Sequence, residues 1–139
     1  MALRAVSTFD VTGWDDKPYD ERDGGPRLSQ AVVRKTFRGD FVGESNAQLL
    51  MCQADPEDIN AGAGYVASEH FVGSIGDLEG SFVIQHGGVV SGPGTQRTFG
   101  HVVPGSATGK LSGLEGDATI AVDEQGVHTL TLDYKIKET

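Results

Sequence analysis

The chain has 139 residues, a normal length for one domain built around a single hydrophobic core. Its net charge of -9 at pH 7 and its scattered lysines and arginines would repel nucleic acid and anionic membrane surfaces, so we expect neither as a partner. The single cysteine, Cys52, excludes an internal disulfide and a zinc site made of cysteines. No apolar stretch is long enough to span a bilayer, and no secretory signal begins the chain. These features predict one cytoplasmic domain over residues 1–139.

Glycine is abundant, with 20 residues against 5 prolines, and the glycines cluster between segments rich in β-branched and aromatic residues. Such clusters are typical of turns between strands. No segment has apolar residues at the three- and four-residue spacing of an amphipathic helix. The composition and pattern therefore predict an all-β fold.

The first predicted strand covers residues 3–12 and is followed by a long, charged loop that contains Trp14 and Tyr19. Long loops are more often functional than short ones, and these two aromatic side chains either cover a pocket or anchor the loop to the domain. The second and third strands cover residues 28–38 and 41–53, and Gly39 and Asp40 between them suit a two-residue hairpin turn.

Five further strands are predicted along the remaining chain, the last of which shows the clearest alternation of apolar and polar residues. Leu130, Leu132 and Tyr134 should be buried, whereas Thr129, Thr131 and Asp133 should be more exposed. Strands with one buried face, joined by short turns, need closure to remove their edges. We therefore predict a closed antiparallel barrel of about eight strands, whose last five cover residues 65–75, 80–86, 96–103, 109–122 and 127–136.

Hairpin geometry predicts which polar side chains meet across strands. A two-residue turn at Gly39 and Asp40 places Lys35 opposite Glu44. A four-residue turn over residues 76–79 places Glu69 opposite His86 on a face that also carries Phe71. A carboxylate beside an imidazole can move a proton to or from a bound molecule, but such a pair also serves to satisfy polarity inside a barrel.

Glu69 and His86 are accordingly the candidate catalytic residues, with the structural alternative open. Lys35 and Glu44 form a second pair whose role is either structural or ligand-binding. The four histidines lack the close spacing of a metal site, and no glycine-rich nucleotide-binding motif occurs, so we expect no metal and no cofactor. The candidate ligand-lining residues are Trp14, Lys35, Glu44, Phe71, Phe82, Ile84, Phe99, His128 and Tyr134.

Several blocks of the sequence resemble the bacterial family catalogued as domain of unknown function 3224. They are TGWDDKPYD (12–20), VRKTFRGD (33–40), GSFVIQH (80–86), VVPGS (102–106), GKLSGLEG (109–116) and LDY (132–134). That family is similar to the allene oxide cyclase and dirigent barrels, and the glycine-rich stretch over residues 105–116 is similar to a block in those relatives. The resemblance implies an eight-stranded antiparallel barrel. It supplies no catalytic residues, because those of the cyclases have no matching motif in this chain.

Taken together, these patterns predict a barrel that binds a small apolar metabolite in its lumen. Resemblance to the cyclases implies an isomerisation or ring closure with proton transfer from Glu69 or His86. A non-catalytic carrier or sensor with the same cavity is one alternative. A homo-oligomeric scaffold whose lumen is filled by its own side chains is another, because fold alone does not select a function.

Overall fold

The computed structural model describes residues 3–58, 60–92 and 95–138, which form nine strands. No helix in these residues is long and apolar enough to cross a membrane. The strands are β1 (Leu3–Glu21), β2 (Arg27–Gly39), β3 (Phe41–Gln53), β4 (Ala63–Ile75), β5 (Leu78–Val90), β6 (Gln96–Val102), β7 (Thr108–Gly109), β8 (Leu114–Val122) and β9 (His128–Ile136).

All pairings are antiparallel, and the sheet closes on itself. The strand order is β4-β3-β2-β1-β9-β8-β6-β5, and β5 pairs back with β4 to complete a ring of eight strands. The two-residue β7 lies beside β5 outside this ring order. The all-β prediction is confirmed, and closure satisfies the backbone groups that free sheet edges would expose.

The charged loop predicted after residue 12 is instead the second half of β1. This half pairs with β2 from Gly13 opposite Arg34 onward, and two register irregularities leave Thr12 and Tyr19 without a ladder partner. Proline lacks the N–H that a regular ladder needs, so it is tolerated at an irregular edge position. Trp14 and Tyr19 therefore lie on a strand, and the prediction of a loop at this place was wrong. Because β9 pairs with β1 only as far as Phe9, β2 is the one strand that pairs with the second half of β1 among the described residues.

The turn between β2 and β3 differs from the prediction by one residue. Lys35 lies opposite Ser45, because Asp40 alone occupies the turn between Gly39 and Phe41. The Asp40 carboxylate accepts a hydrogen bond of 2.8 Å from the N–H of Val6, and the Asp40 N–H donates to Val6 O at 3.0 Å. These contacts fix the turn against β1. A one-residue shift reverses the face of a side chain, so Glu44 is exposed and the predicted Lys35–Glu44 pair was wrong.

The turn between β4 and β5 is shorter than predicted, since Ile75 lies opposite Leu78 and only Gly76 and Asp77 connect them. Ala67, rather than Glu69, is therefore directly opposite His86. The error is two residues, and an even shift leaves every side chain on its predicted face. Glu69 and His86 consequently remain diagonal neighbours on the inner face.

The predicted strand over residues 109–122 is divided in two. After β7, a series of turns over residues 110–113 precedes β8, which begins at Leu114. In the part of the chain that the structure describes, β6 and β8 share one ladder pair, His101 with Asp117. Regular strand pairing between β6 and β8 is limited to this position, although the adjacent Gly100 and Ala118 remain in close contact.

The two halves of the interior are packed differently. We call the half beside the β2–β3 and β4–β5 turns the lower half, and the half that contains the second part of β1 the upper half. Inward positions in the upper half carry small residues such as Ala31, Ala47 and Ala67. Large side chains fill the lower half: Phe9, Phe37, Phe41, Phe71, Phe82, Ile84, Leu111, Leu114, Leu130 and Leu132.

On β9, the prediction that Leu130 and Leu132 are buried is confirmed, at 2% and 0% exposure. Tyr134 is only half-buried, although it packs against the core. Thr129, Thr131 and Asp133 are also only partly exposed, because β1 and β8 flank the strand on both sides. The inner face of β9 was therefore predicted correctly, but the predicted difference in solvent exposure between its two faces was too large.

Candidate functional site

A buried cluster of charged and polar side chains lies between the two halves of the interior. Glu69 on β4 is 1% exposed, and Lys35, Ser45 and His86 on the neighbouring strands are also buried. Lys35 Nζ and His86 Nε2 lie 2.9 and 2.8 Å from Glu69 Oε1, and Ser45 Oγ donates to Oε2 at 2.5 Å. The predicted contact between Glu69 and His86 is thus confirmed, and both side chains point inward.

These partners determine the charge state of Glu69. Burial by itself would raise the pKa of this carboxyl, since it removes the charged form from water. The hydrogen bond from His86, the positive charge of Lys35 and the hydrogen bond from Ser45 outweigh burial and lower the pKa of Glu69 to about 2. Glu69 is therefore a carboxylate at neutral pH, and Lys35 balances its charge.

Lys35 also marks the boundary with the lower core. Its Nζ lies 4.5 Å from the centre of the Phe9 ring, so the ammonium contacts an aromatic face on one side and Glu69 on the other. Cations interact favourably with the face of an aromatic ring. The aliphatic part of the Lys35 side chain lies along apolar surface. Its ammonium group can therefore lie next to the apolar core while it remains paired with the Glu69 carboxylate.

The cluster continues from His86 to Tyr65, whose hydroxyl oxygen lies 2.9 Å from His86 Nδ1. A carboxylate only accepts hydrogen bonds, so in the neutral imidazole Nε2 carries the hydrogen that Glu69 accepts. Nδ1 then accepts the hydroxyl hydrogen of Tyr65. Burial and the charge of Glu69 raise the pKa of Tyr65, which keeps its phenol protonated at neutral pH. The result is one directed chain, Tyr65–His86–Glu69.

Tyr65 borders two cavities in the upper half. The mouth cavity, of about 450 Å³, lies at the upper end of the ring beside Ser29, Met51 and Trp14. The side cavity, of about 400 Å³, lies between residues of β6 and β8 and is bordered by His86 and Ile120. Both volumes fall in the range of small-molecule sites. The hydrogen-bonded chain therefore ends at open space rather than in packed core.

A second charged pair lies at the mouth cavity. Arg27 Nη2 donates to Asp16 Oδ1 at 3.0 Å, and Arg27 Nε lies 3.9 Å from Glu21 Oε2. The indole N–H of Trp14 is directed to the other oxygen of Asp16 at 3.4 Å. The Arg27 side chain is mostly shielded from solvent, whereas Trp14 is 56% exposed. The guanidinium charge is thus already compensated by carboxylates.

The structure separates the other predicted ligand-lining residues into several environments. Phe71, Phe82 and Ile84 point inward but are packed in the lower core away from both cavities. Glu44 is on the outer surface. Phe99, 50% exposed, also lies on the outer side, where its ring covers Gly87 and borders the side cavity from outside.

The two remaining predicted residues lie on β9. His128 is half-buried at its upper end, with its ring 5.1 Å from that of Phe9. Tyr134 is near the lower end, against the core. Neither borders the mouth cavity or the side cavity. Of the nine predicted lining residues, Trp14 and Phe99 therefore adjoin these cavities, and Lys35 belongs to the cluster beneath them.

Tyr65 and Ser45 belong to the cluster but were not predicted from the sequence. The signal for Tyr65 was present, because Tyr65, Ala67 and Glu69 alternate along β4 and must share a face. Ser45 could be identified only after the β2–β3 register was known, since the predicted register assigned its place to Glu44. Among the described residues, no group of three or more histidine, cysteine or acidic side chains could hold a metal ion.

Comparisons with known proteins agree with the fold. The structure is similar to the crystal structure of a protein of unknown function from the DUF3224 family of Shewanella oneidensis MR-1, with a TM-score of 0.84, 29% identity and 100% coverage of both chains. No curated protein matches the chain. Residues 5–134 match the family described as "Protein of unknown function (DUF3224)". The chain therefore belongs to the DUF3224 family.

Proposed function

We propose that this protein binds a small, largely apolar molecule in the upper half of the ring and catalyses a proton transfer on it. The observation that carries this proposal is the chain Tyr65–His86–Glu69, which begins at a buried carboxylate and ends at two cavities. Positioned proton-transfer groups contribute rate factors of about 10²–10⁴. Such chemistry needs a base whose orientation is fixed, and hydrogen bonds to both ring nitrogens fix His86.

The proposed step moves two protons in one direction. A proton leaves the bound molecule for Tyr65 Oη while the hydroxyl proton of Tyr65 passes to His86 Nδ1. The imidazolium that forms lies 2.8 Å from the Glu69 carboxylate, which stabilises its charge. When both transfers reverse and the proton is delivered to a different atom of the molecule, the product is an isomer, and the cycle needs no co-reactant.

Glu69 acts as the fixed negative charge of this arrangement, not as the proton acceptor. Its pKa of about 2 leaves it ionised, and Lys35 and Ser45 hold its two oxygens in place. This division of roles is the one that a serine–histidine–aspartate triad uses, with the carboxylate orienting the imidazole. Here a tyrosine hydroxyl takes the position next to the ligand.

The resemblance of the sequence to allene oxide cyclase and dirigent barrels supports an isomerisation or ring closure as the reaction class. In this interpretation the ring of eight strands is a barrel of that type, and the apolar wall of the cavity holds one conformer of the substrate. Leu49 and Met51 border the mouth cavity and Ile120 borders the side cavity, and such apolar walls suit a molecule with few polar groups.

A non-catalytic carrier is the second candidate. The observation in its favour is that every buried polar side-chain atom in the described ranges has a hydrogen-bond partner. A buried network in which every polar atom has a hydrogen-bond partner is also expected in a protein that uses these residues for stability alone and catalyses no reaction. Carrier and enzyme share the cavity and differ in whether protons of the bound molecule exchange.

The test is to recover the molecule that the protein retains through purification and identify it by mass spectrometry. Tyr65→Phe removes the hydroxyl at the cavity, and Tyr134→Phe removes one at the lower end as a matched control. We expect the wild type and Tyr134→Phe to retain the same small molecule and Tyr65→Phe to lose most of it.

Incubation of the protein with that molecule in D₂O then separates enzyme from carrier. An enzyme should catalyse deuterium incorporation at carbon, and His86→Gln should slow it by about 10²-fold or more. Binding without exchange above the uncatalysed rate would contradict catalysis and favour the carrier. An unaltered rate in a folded His86→Gln protein would contradict the proposed role of the chain.

A further inference from the structure

The hydrogen-bonded chain has a direction, and that direction restricts what the cavity can recognise. Glu69 is a carboxylate and can only accept, which places the ring hydrogen of neutral His86 on Nε2. Nδ1 accepts the single hydroxyl hydrogen of Tyr65. The phenol has no second hydrogen. Toward the cavities, Tyr65 Oη therefore presents lone pairs only.

A ligand atom that meets Tyr65 Oη must consequently carry a hydrogen. A carbonyl or ether oxygen of the ligand would place its lone pairs against those of Tyr65 Oη and could form no hydrogen bond there. The free energy lost when water leaves that oxygen would then not be recovered. A hydroxyl or N–H group would donate to Oη and extend the chain. Sites built around a hydrogen-bond partner discriminate strongly against analogues that lack it.

The charges around the mouth cavity argue further for an uncharged ligand. Arg27 is paired with Asp16 and lies near Glu21, and Lys35 is bound to Glu69 below. No cation among the described lining residues of this cavity is left without a carboxylate. With a net charge of -9, the chain would also repel an approaching carboxylate or phosphate.

We infer that the ligand is an uncharged apolar molecule with a weakly acidic O–H, as in a phenol or an enol, and that this hydroxyl donates to Tyr65 Oη. This inference rests on the proposed function and names the substrate class of the same site. The O–H bond of the ligand breaks as Tyr65 Oη takes its proton, and the Tyr65 proton forms the new N–H bond at His86 Nδ1. The ligand becomes an enolate or phenolate beside a neutral phenol.

Four nitroaromatic probes of similar size test this assignment. The compound 4-nitrophenol donates a hydrogen bond, 4-nitroanisole lacks the hydrogen, 4-nitroacetophenone offers a carbonyl acceptor, and 4-nitrobenzoate carries a negative charge. At a pH low enough to keep free 4-nitrophenol uncharged, we expect it to bind at least tenfold more tightly than each of the other three in equilibrium dialysis. Its absorption should move to longer wavelength on binding, because the phenolate absorbs there.

Two variants test whether the Tyr65 hydroxyl is responsible for the preference for 4-nitrophenol over 4-nitroanisole. Tyr65→Phe should lower the affinity for 4-nitrophenol by tenfold or more and leave that for 4-nitroanisole within twofold. Tyr134→Phe should change neither affinity. If Tyr65→Phe does not fold, the order of the four affinities in the wild type still decides between a donor and an acceptor ligand.

The outcomes distinguish this inference from the function on which it rests. Tighter binding of 4-nitroacetophenone would mean that Tyr65 donates into the cavity, and tighter binding of 4-nitrobenzoate would mean an anion site. Either result overturns the donor assignment while ligand binding in the cavity stands. Failure of all four probes to bind at millimolar concentration would contradict the ligand cavity itself, and with it both proposals.

Discussion

Five of the six phenylalanines fill the lower half of the ring, whereas the upper half holds a buried ion pair, an imidazole and a phenol beside two cavities. In the lower half, Phe71 lies 4.9–5.8 Å from the rings of Phe37, Phe41 and Phe82. In the upper half, the buried inward positions carry smaller residues, which include Ala31, Ala47 and Ala67. The lower half thus contributes apolar burial, which offsets the desolvation of charged groups in the upper half.

The difference has a simple origin in side-chain size. Inward positions recur every second residue in all eight strands, so the volume of the interior at each level depends on the residues at those positions. Ser29 on β2 borders the mouth cavity, whereas Phe37, further down the same strand, is packed against the rings of Phe9 and Phe41. A site with free volume can exist in one half because the other half is completely packed.

The largest expected effect is from truncation in the lower half. Phe71→Ala should lower the free energy of unfolding by about 3–5 kcal/mol, because it leaves a cavity among three aromatic rings. Urea denaturation measures this change. Phe99→Ala is the matched control, since Phe99 is 50% exposed on the outer face and should cost less than half as much. Equal losses would mean that the lower half is not the stabilising part.

The ion pair of the upper half should give the next largest effect. Lys35→Met leaves the Glu69 carboxylate buried without its cation and should destabilise the protein by roughly 3 kcal/mol. The double variant Lys35→Met with Glu69→Gln removes both charges and should recover a large part of the loss. A double variant as unstable as the sum of the single variants would show that the two charges are not coupled.

The pH dependence of stability should depend partly on Glu69. Its pKa is lowered from 4.5 to about 2 in the folded chain, so its contribution is present above pH 4.5 and is lost as pH falls toward 2. A depression of this size corresponds to roughly 3 kcal/mol in full. In urea titrations between pH 2 and pH 7, the stability difference between wild type and Glu69→Gln should therefore decrease as pH falls. A constant difference would contradict the depressed pKa.

The smallest expected effect on stability is at Tyr65. Tyr65→Phe removes one hydrogen bond to His86 beside a cavity that water can enter, so the cost should be about 1 kcal/mol or less. Thermal unfolding can measure it against Tyr134→Phe. A loss as large as that of Phe71→Ala would make Tyr65 part of the structural core and weaken its assignment to a ligand site.

The sequence by itself determined the fold class and the inner face of most strands. Alternation is a local property, because successive side chains of a strand point to opposite sides whatever the strand pairs with. Leu130 and Leu132 were therefore placed correctly, as were Glu69 and His86. The same rule could have placed Tyr65 on the inner face with Glu69.

Only the tertiary structure decided the register between strands, the lengths of the strands and which side chains come into contact. Asp40 fixes the β2–β3 turn through contacts with Val6, which lies 34 residues away in the sequence, and that turn placed Ser45 rather than Glu44 beside the cluster. The second half of β1 is a strand because β2 pairs with it, despite its charges, Gly13 and Pro18. The chain Tyr65–His86–Glu69 likewise depends on a two-residue turn that brings two strands into one alignment. Register is a property of paired strands, so turn contacts and ring closure determine it rather than the pattern of any single strand.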